Sequence, residues 1–387
     1  MKSLLLAGIA TLALAAGPTA TPAQAQVVVS ANDAKVTLVN GVATLVANPV
    51  PDSITVMDIV GGQVRVRGQA PVAASVVGPP LSVAVSPDNK LAVVTANQVV
   101  DPNDATKTVA GTFMTLVDIS GTGNPVVLGR VPTGPAPAGL SFTPDGKLLL
   151  VAHRGDGSVW VYRVVGQTVT ELAKLSLGNA ASLVSHVAVT PDGKFALVSR
   201  NGDHRISVLA INGETVTNTP RQLTPGLAPY AVNITPDGKW AVSANMGTGQ
   251  GDTDTVSLID LQRQPFRVVD SIAVGQTPEG MQVSPDNRHV AVTVMNGSNK
   301  ATESPFRGPG QLRLLRIENG RLRIVSTATI GTWAQGVAFS RDGRTVLAGN
   351  MIEHTIQVFR IDDTGGLSDT GRPVRVFGGS VALRSGR

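Results

Sequence analysis

Four side chains able to grip an anion recur at comparable places in two successive stretches of this chain. His153 and Arg154 follow one apolar run, while His186 and Arg200 flank the next. A guanidinium meets a carboxylate or phosphate with a two-pronged fork, and an imidazole adds a single donor. One cation about 4 Å from an anion contributes roughly 1–4 kcal/mol, depending on the local dielectric, so two such contacts support a weak to moderate ligand site. Tyr230, Glu279, Gln335 and Trp333 lie at the starts of later runs. Asn97, Asn201, Asn245, Met246, Asn296, Asn350 and Met351 lie at the ends of others. These mostly polar residues suit a watery channel mouth better than a packed core.

Other chemistries are poorly served. The chain has 0 cysteines, which excludes disulfides, thiolate metal sites, covalent haem and cysteine nucleophiles. His289 and His354 have no partner histidine at helical spacing, which argues against zinc. Asp101-Pro102-Asn103-Asp104 and Gly251-Asp252-Thr253-Asp254 lack the terminal glutamate of a calcium loop. Gly378-Gly379-Ser380-Val381-Ala382 lacks the last glycine of a nucleophile elbow. No metal and no cofactor is expected.

The elements that must position these residues are announced by a repeated turn. It reads Val-Ala-Val-Ser-Pro-Asp-Asn-Lys (83–90), Leu-Ser-Phe-Thr-Pro-Asp-Gly-Lys (140–147) and Val-Ala-Val-Thr-Pro-Asp-Gly-Lys (187–194). Further copies are Val-Asn-Ile-Thr-Pro-Asp-Gly-Lys (232–239), Met-Gln-Val-Ser-Pro-Asp-Asn-Arg (281–288) and Val-Ala-Phe-Ser-Arg-Asp-Gly-Arg (337–344). Proline presets the first corner, aspartate bonds its own backbone, and glycine or asparagine accepts positive φ. Period-two alternation on either side predicts strands. In the clearest copy these are Ser185–Thr190, Phe195–Ser199, Arg205–Ile211 and Thr215–Leu223.

The turn aspartates recur every 45 to 57 residues, one unit plus a variable loop. A worn seventh copy is expected first, aligning Val27–Asn40 with Val83–Asn97 and making Ser53–Ile59 its third strand. The fold class predicted is therefore all-β: a seven-bladed β-propeller with four antiparallel strands per blade. Gln98–Thr112 and Gly297–Gly310 are expected as surface inserts, and Arg375–Leu383 is expected to pair with an early strand and seal the ring.

Residues 1–25 have the make-up of a cleaved signal: Lys2, an apolar stretch from Leu4 to Ala16, and Ala23-Gln24-Ala25. The apolar stretch is too short to span a bilayer. The expected organisation is a signal over 1–25 and one propeller domain over 26–387, periplasmic or secreted from a bacterium after cleavage near Ala25. The net charge of +5 is modest and scattered, which argues against dedicated nucleic-acid binding.

Apolar strands ending in Val93-Val94-Thr95-Ala96-Asn97, Val198-Ser199-Arg200-Asn201 and Val242-Ser243-Ala244-Asn245, each after such a turn, resemble the YVTN β-propeller repeat family. Its wider group includes lactonase-like seven-bladed propellers. The resemblance implies a histidine just before one first strand, which His186 matches. It implies an arginine and a glutamate in the next blade, where Tyr230 and Met246 stand; Arg307 is a weak candidate for a further arginine. The leading expectation is thus a binding or scaffold module for a small anionic ligand or a periplasmic protein partner. Its ligand-binding candidates are His153, Arg154, His186, Arg200, Asn201, Tyr230, Asn245, Glu279, Asn296, Trp333 and Asn350. The alternative is a lactonase-like hydrolase in which His186 acts with Arg200 or Arg154. A second alternative is a partner subunit of a periplasmic redox enzyme.

Overall fold

The computed structural model describes residues 25–386, so the expected signal segment lies outside the described residues. Among the described residues seven sheets surround a central channel, each with four strands in antiparallel succession and the last with one further short strand. Blades are numbered here in chain order. Blades 2 to 7 each take their innermost strand from the segment preceding the repeated turn.

The turn earns its recurrence through hydrogen bonding. In all six copies the Ser or Thr hydroxyl donates to Oδ1 of the aspartate two residues on, as from Thr190 to Asp192 at 2.6 Å and from Ser86 to Asp88 at 2.6 Å. The same oxygen of Asp192 accepts from the backbone N–H of Lys194. Gly193 closes the corner at φ +71°, and Asn89 does so at φ +59° in blade 2. The conserved geometry leaves the turn aspartates engaged in their own loops.

Second strands such as Leu148–His153, His289–Val294 and Thr345–Asn350 are buried along their whole length, because neighbouring blades cover both faces. Small and branched residues fill the layers between blades, as with Val198, Ala196 and Val187 against Leu150 and Ala152. Outer strands alternate or lie exposed.

Blade 1 differs from the expectation. Gln26–Asp33 is its second strand, not its first, and pairs with both Ser53–Val60 and Gly379–Ser385. The C-terminal strand supplies the innermost position, so the ring is sealed by joining the two ends of the chain in one sheet. Val374–Arg375 pairs elsewhere, with the third strand of blade 7. The misassignment has a simple cause: a first and a second strand carry the same period-two pattern, and only long-range pairing tells them apart.

The Gln98–Thr112 insert is not irregular; it forms a two-stranded hairpin of Gln98–Asp101 and Asp104–Ala110. A second hairpin, Val36–Val39 with Val42–Leu45, occupies the equivalent place in blade 1. Both, like the 297–310 loop, follow a second strand. They therefore share one face, termed the insert face; the Pro-Asp-Gly corners mark the opposite turn face.

Candidate functional site

The inner strands of blades 3 to 7 open in the same unusual way. Ala136, Leu183, Ala228, Thr277 and Trp333 adopt left-handed φ between +47° and +54°. A β-bulge follows in each strand. This backbone device re-aims the next residues and puts Ala138, Ser185, Tyr230, Glu279 and Gln335 at equivalent positions on five consecutive blades. Measured by that register, Ser185 shares the ring with Tyr230 and Glu279. His186 stands one step further on, where the other blades have Gly139, Ala231, Gly280 and Gly336.

Arg154, from the link after the second strand of blade 3, reaches into this ring. Its guanidinium donates to the Ser185 hydroxyl and lies 5.5 Å from the centre of the Tyr230 ring. Two blades further round, Nε2 of Gln335 donates to Oε2 of Glu279 at 2.9 Å. Glu279 is buried, and burial pushes its carboxyl up to about 8 against the opposing pull of Gln335 and of the Arg154 charge. The Tyr230 phenol is pushed well up by burial, with Arg154 pulling it down and Glu279 pushing it up. Arg154, Tyr230 and Glu279 therefore sense one another electrostatically. A carboxyl tuned to near-neutral pH beside a cation and an amide donor is the arrangement expected of an acid–base group.

Trp333, Met295 and Met351 belong to one apolar cluster with Val36, Leu38 and Leu45 of the blade 1 hairpin. Its tip meets the blade 6 insert, where Asn40 Oδ1 accepts from the Thr302 N–H at 3.2 Å. At its base, Lys35 Nζ lies 3.0 Å from both Asp33 and Asp52 and donates to the Ala74 carbonyl. The hairpin thus roofs part of the insert-face mouth. A cavity of about 480 Å³ lies between the blade 6 insert and Ile330, Thr332 and Glu353.

The other expected candidates have different surroundings. His186 is wholly buried; its Nδ1 accepts from the Val232 N–H of blade 5 at 3.3 Å, and its ring fills the space left by Gly139 of blade 3. Burial, then the charge of Arg384, holds it well below the usual imidazole range. His153 is also buried, 2.5 Å from the Thr133 hydroxyl, which in turn accepts from Tyr162. Burial lowers its pKa to about 4. Arg200 pairs with Asp203. Asn201 donates to the Ala228 carbonyl, tying its link to the left-handed residue of the next blade. Asn245 donates to Ser257 at 2.9 Å, Asn296 to the Pro309 carbonyl and Asn350 to Gln357. The ring thus brings together Arg154, Tyr230 and Glu279, while the asparagines and His153 serve the joints between links and blades.

Residues 166–264 match the family described as Lactonase, 7-bladed beta-propeller. That stretch runs from the fourth strand of blade 3 to just past the third strand of blade 5. No curated protein matches the chain. Among solved structures, the chain is similar to a candidate 6-phosphogluconolactonase from Bacteroides fragilis, with 18% identity over 96% of this chain and 100% of that one, at a TM-score of 0.73. It is also similar to a periplasmic gluconolactonase from Pseudomonas aeruginosa: 20% identity, 94% and 99% coverage, TM-score 0.66. A chain of Kuenenia stuttgartiensis hydrazine synthase aligns over 73% of this chain and 77% of its own, with 21% identity and a TM-score of 0.58. At these identities the likeness is one of fold.

Residues that sequence reasoning passed over are Ser185 and Gln335's partnership with Glu279. The available signal was the spacing to the turn: Ser185, Tyr230, Glu279 and Gln335 each stand six residues before its first corner.

Proposed function

We propose that this chain is a lactonase-like hydrolase, opening a lactone ring at the insert-face mouth. The observation that carries the reading is the buried Glu279, raised to about 8, bonded to Gln335 and within the field of Arg154. The Glu279 carboxylate takes a proton from the water that attacks the lactone carbonyl. Arg154 and the Gln335 amide offset the charge that gathers on the carbonyl oxygen. As the ring C–O bond breaks, Glu279 returns its proton to the leaving oxygen. The product is a hydroxy acid, whose carboxylate suits Arg154. The local family match and the lactonase names of two similar structures support the reading, as does the YVTN-like repeat. In this proposal His186 serves as a wedge between blades and not as the base. The proposal also carries with it export of the chain from a bacterial cytoplasm.

The test is pH-stat hydrolysis of glucono-δ-lactone against a buffer blank. The expected result is turnover that Glu279→Gln reduces to the blank while the variant still unfolds cooperatively. Turnover unaffected by Glu279→Gln would overturn the assignment. No turnover with any lactone, but saturable binding of a hydroxy acid, would return the chain to a binding role.

A further inference from the structure

The ring position held by Ala138, Ser185, Tyr230, Glu279 and Gln335 in blades 3 to 7 belongs to Leu81 in blade 2, six residues before Pro87. Leu81 is presented by a different backbone. In blades 3 to 7 the residue two positions earlier is left-handed. In blade 2 that residue is Pro79, whose ring holds φ negative. Pro79 and Pro80 follow Gly78 at φ +110°, and the Leu81 N–H donates to the Pro79 carbonyl at 2.7 Å. The strand that follows, Val83–Val85, pairs with Leu91–Thr95 without the β-bulge of blades 3 to 7.

This entry sends Leu81 across the channel. It is buried, and every other member of its apolar cluster belongs to blade 5 or blade 6, including Ala231 and Met281 of the inner strands. Blade 2 stacks between blades 1 and 3, so these contacts pass through the axis of the ring. Ala231 follows Tyr230, and Met281 stands two residues beyond Glu279. Ser185 to Gln335 thus give the ring a polar arc on blades 4 to 7, with Leu81 opposite it. A cavity of about 560 Å³ at the turn face ends at Ala84 and Val85 of blade 2, short of Leu81.

An apolar side chain at the axis excludes water, and a carboxyl kept from water resists ionising. Burial is the largest influence on Glu279; the titratable and charged groups facing it are Arg154 and Tyr230, with the Gln335 amide as its hydrogen-bond donor. We infer that Leu81 is a positioning residue of the hydrolase site, a stopper that closes the channel behind Glu279 and keeps the solvent of the turn-face mouth from its carboxyl. The inference rests on the hydrolase reading for the role of Glu279, and its test does not require turnover.

NMR titration of the full chain, with glutamate carboxyls labelled with carbon-13 and the Glu279 signal assigned by Glu279→Gln, reads the effect. The wild-type midpoint is expected near 8. Leu81→Ala is expected to bring it below about 7 by admitting water, and Leu81→Val to bring it partway. Leu81→Met, which keeps the volume, is expected to hold the wild-type midpoint. Leu150→Ala, at a leucine buried between blades 3 and 4, is expected to lower stability without moving it. In a lactone assay the rising limb of the pH profile is expected to move to lower pH in Leu81→Ala, in step with the titration. A midpoint unmoved in both Leu81→Ala and Leu81→Val while they unfold cooperatively would overturn the inference. So would an equal displacement in Leu150→Ala, or a wild-type Glu279 that titrates with the other glutamates. A displaced midpoint in a protein that turns over no lactone would support the stopper and remove the hydrolase reading alone.

Discussion

Gln335 and Glu279 hold each other across the boundary between blades 6 and 7, amide to carboxylate, at 2.9 Å. They occupy the same place in their blades, each two residues beyond a left-handed residue. The bond is therefore made by the ring itself, since only the stacking of one blade on the next brings these repeats together.

Glu279 should leave a signature in stability. A carboxyl whose folded-state pKa lies above its unfolded value binds protons more tightly when folded. Its contribution is full below about pH 4.5 and is lost as pH rises toward about 8. The expected outcome is that the wild-type midpoint falls between pH 5 and 8, and that Glu279→Gln flattens this dependence. Thermal melts across that range check it.

Activity should run the other way. Because the base works as the carboxylate, lactone opening is expected to rise with pH and level off above about 8. A kcat profile, corrected for the spontaneous rate, reads this directly.

Arg154→Gln removes the donor to Ser185 and the cation that draws Glu279 down. Loss of such a charge-stabilising donor is expected to lower kcat by about 10²–10³. The same substitution should move the rising limb of the pH profile to higher pH. A uniform loss of rate with no such displacement would count against a direct role.

Lys35 anchors the roofing hairpin between Asp33 and Asp52. Lys35→Met strands buried Asp33 without its partner, and breaking a buried pair in this way costs about 3–5 kcal/mol. Urea unfolding should show the loss. Adding Asp33→Asn should recover part of it, because the unpaired charge is then gone.

Deletion of residues 379–387 removes the innermost strand of blade 1 and exposes the edge of Gln26–Asp33. The expected result is loss of the cooperative unfolding transition in calorimetry, while a deletion confined to the 302–306 part of the blade 6 insert preserves it.

Much of the fold is legible in the repeated turns, because their chemistry is local. Ser or Thr, Asp and Gly or Asn meet within a few residues, so Thr190, Asp192 and Gly193 determine their own corner. The four-strand cut of blade 4 follows from the same punctuation. Gln26–Asp33 was misread for the opposite reason: its apolar pattern suits a first or a second strand equally, and the deciding partner, Gly379–Ser385, lies at the other end of the chain.

The site divides in the same way. Sequence spacing identified Arg154, Tyr230 and Glu279 as rim residues and could not rank them above His153, Arg200 or the asparagines. His186 drew attention by type and position, yet packing against Gly139 and a bond from Val232 commit it to the blade interior. By itself the sequence determined the repeat, the corners and the number of blades, all of which rest on contacts between near neighbours. The tertiary structure alone decided which blade ends share a strand, where the hairpin roofs the mouth, and that Glu279 sits buried against Gln335. Those outcomes depend on closing a ring, which brings together residues with no local pattern in common.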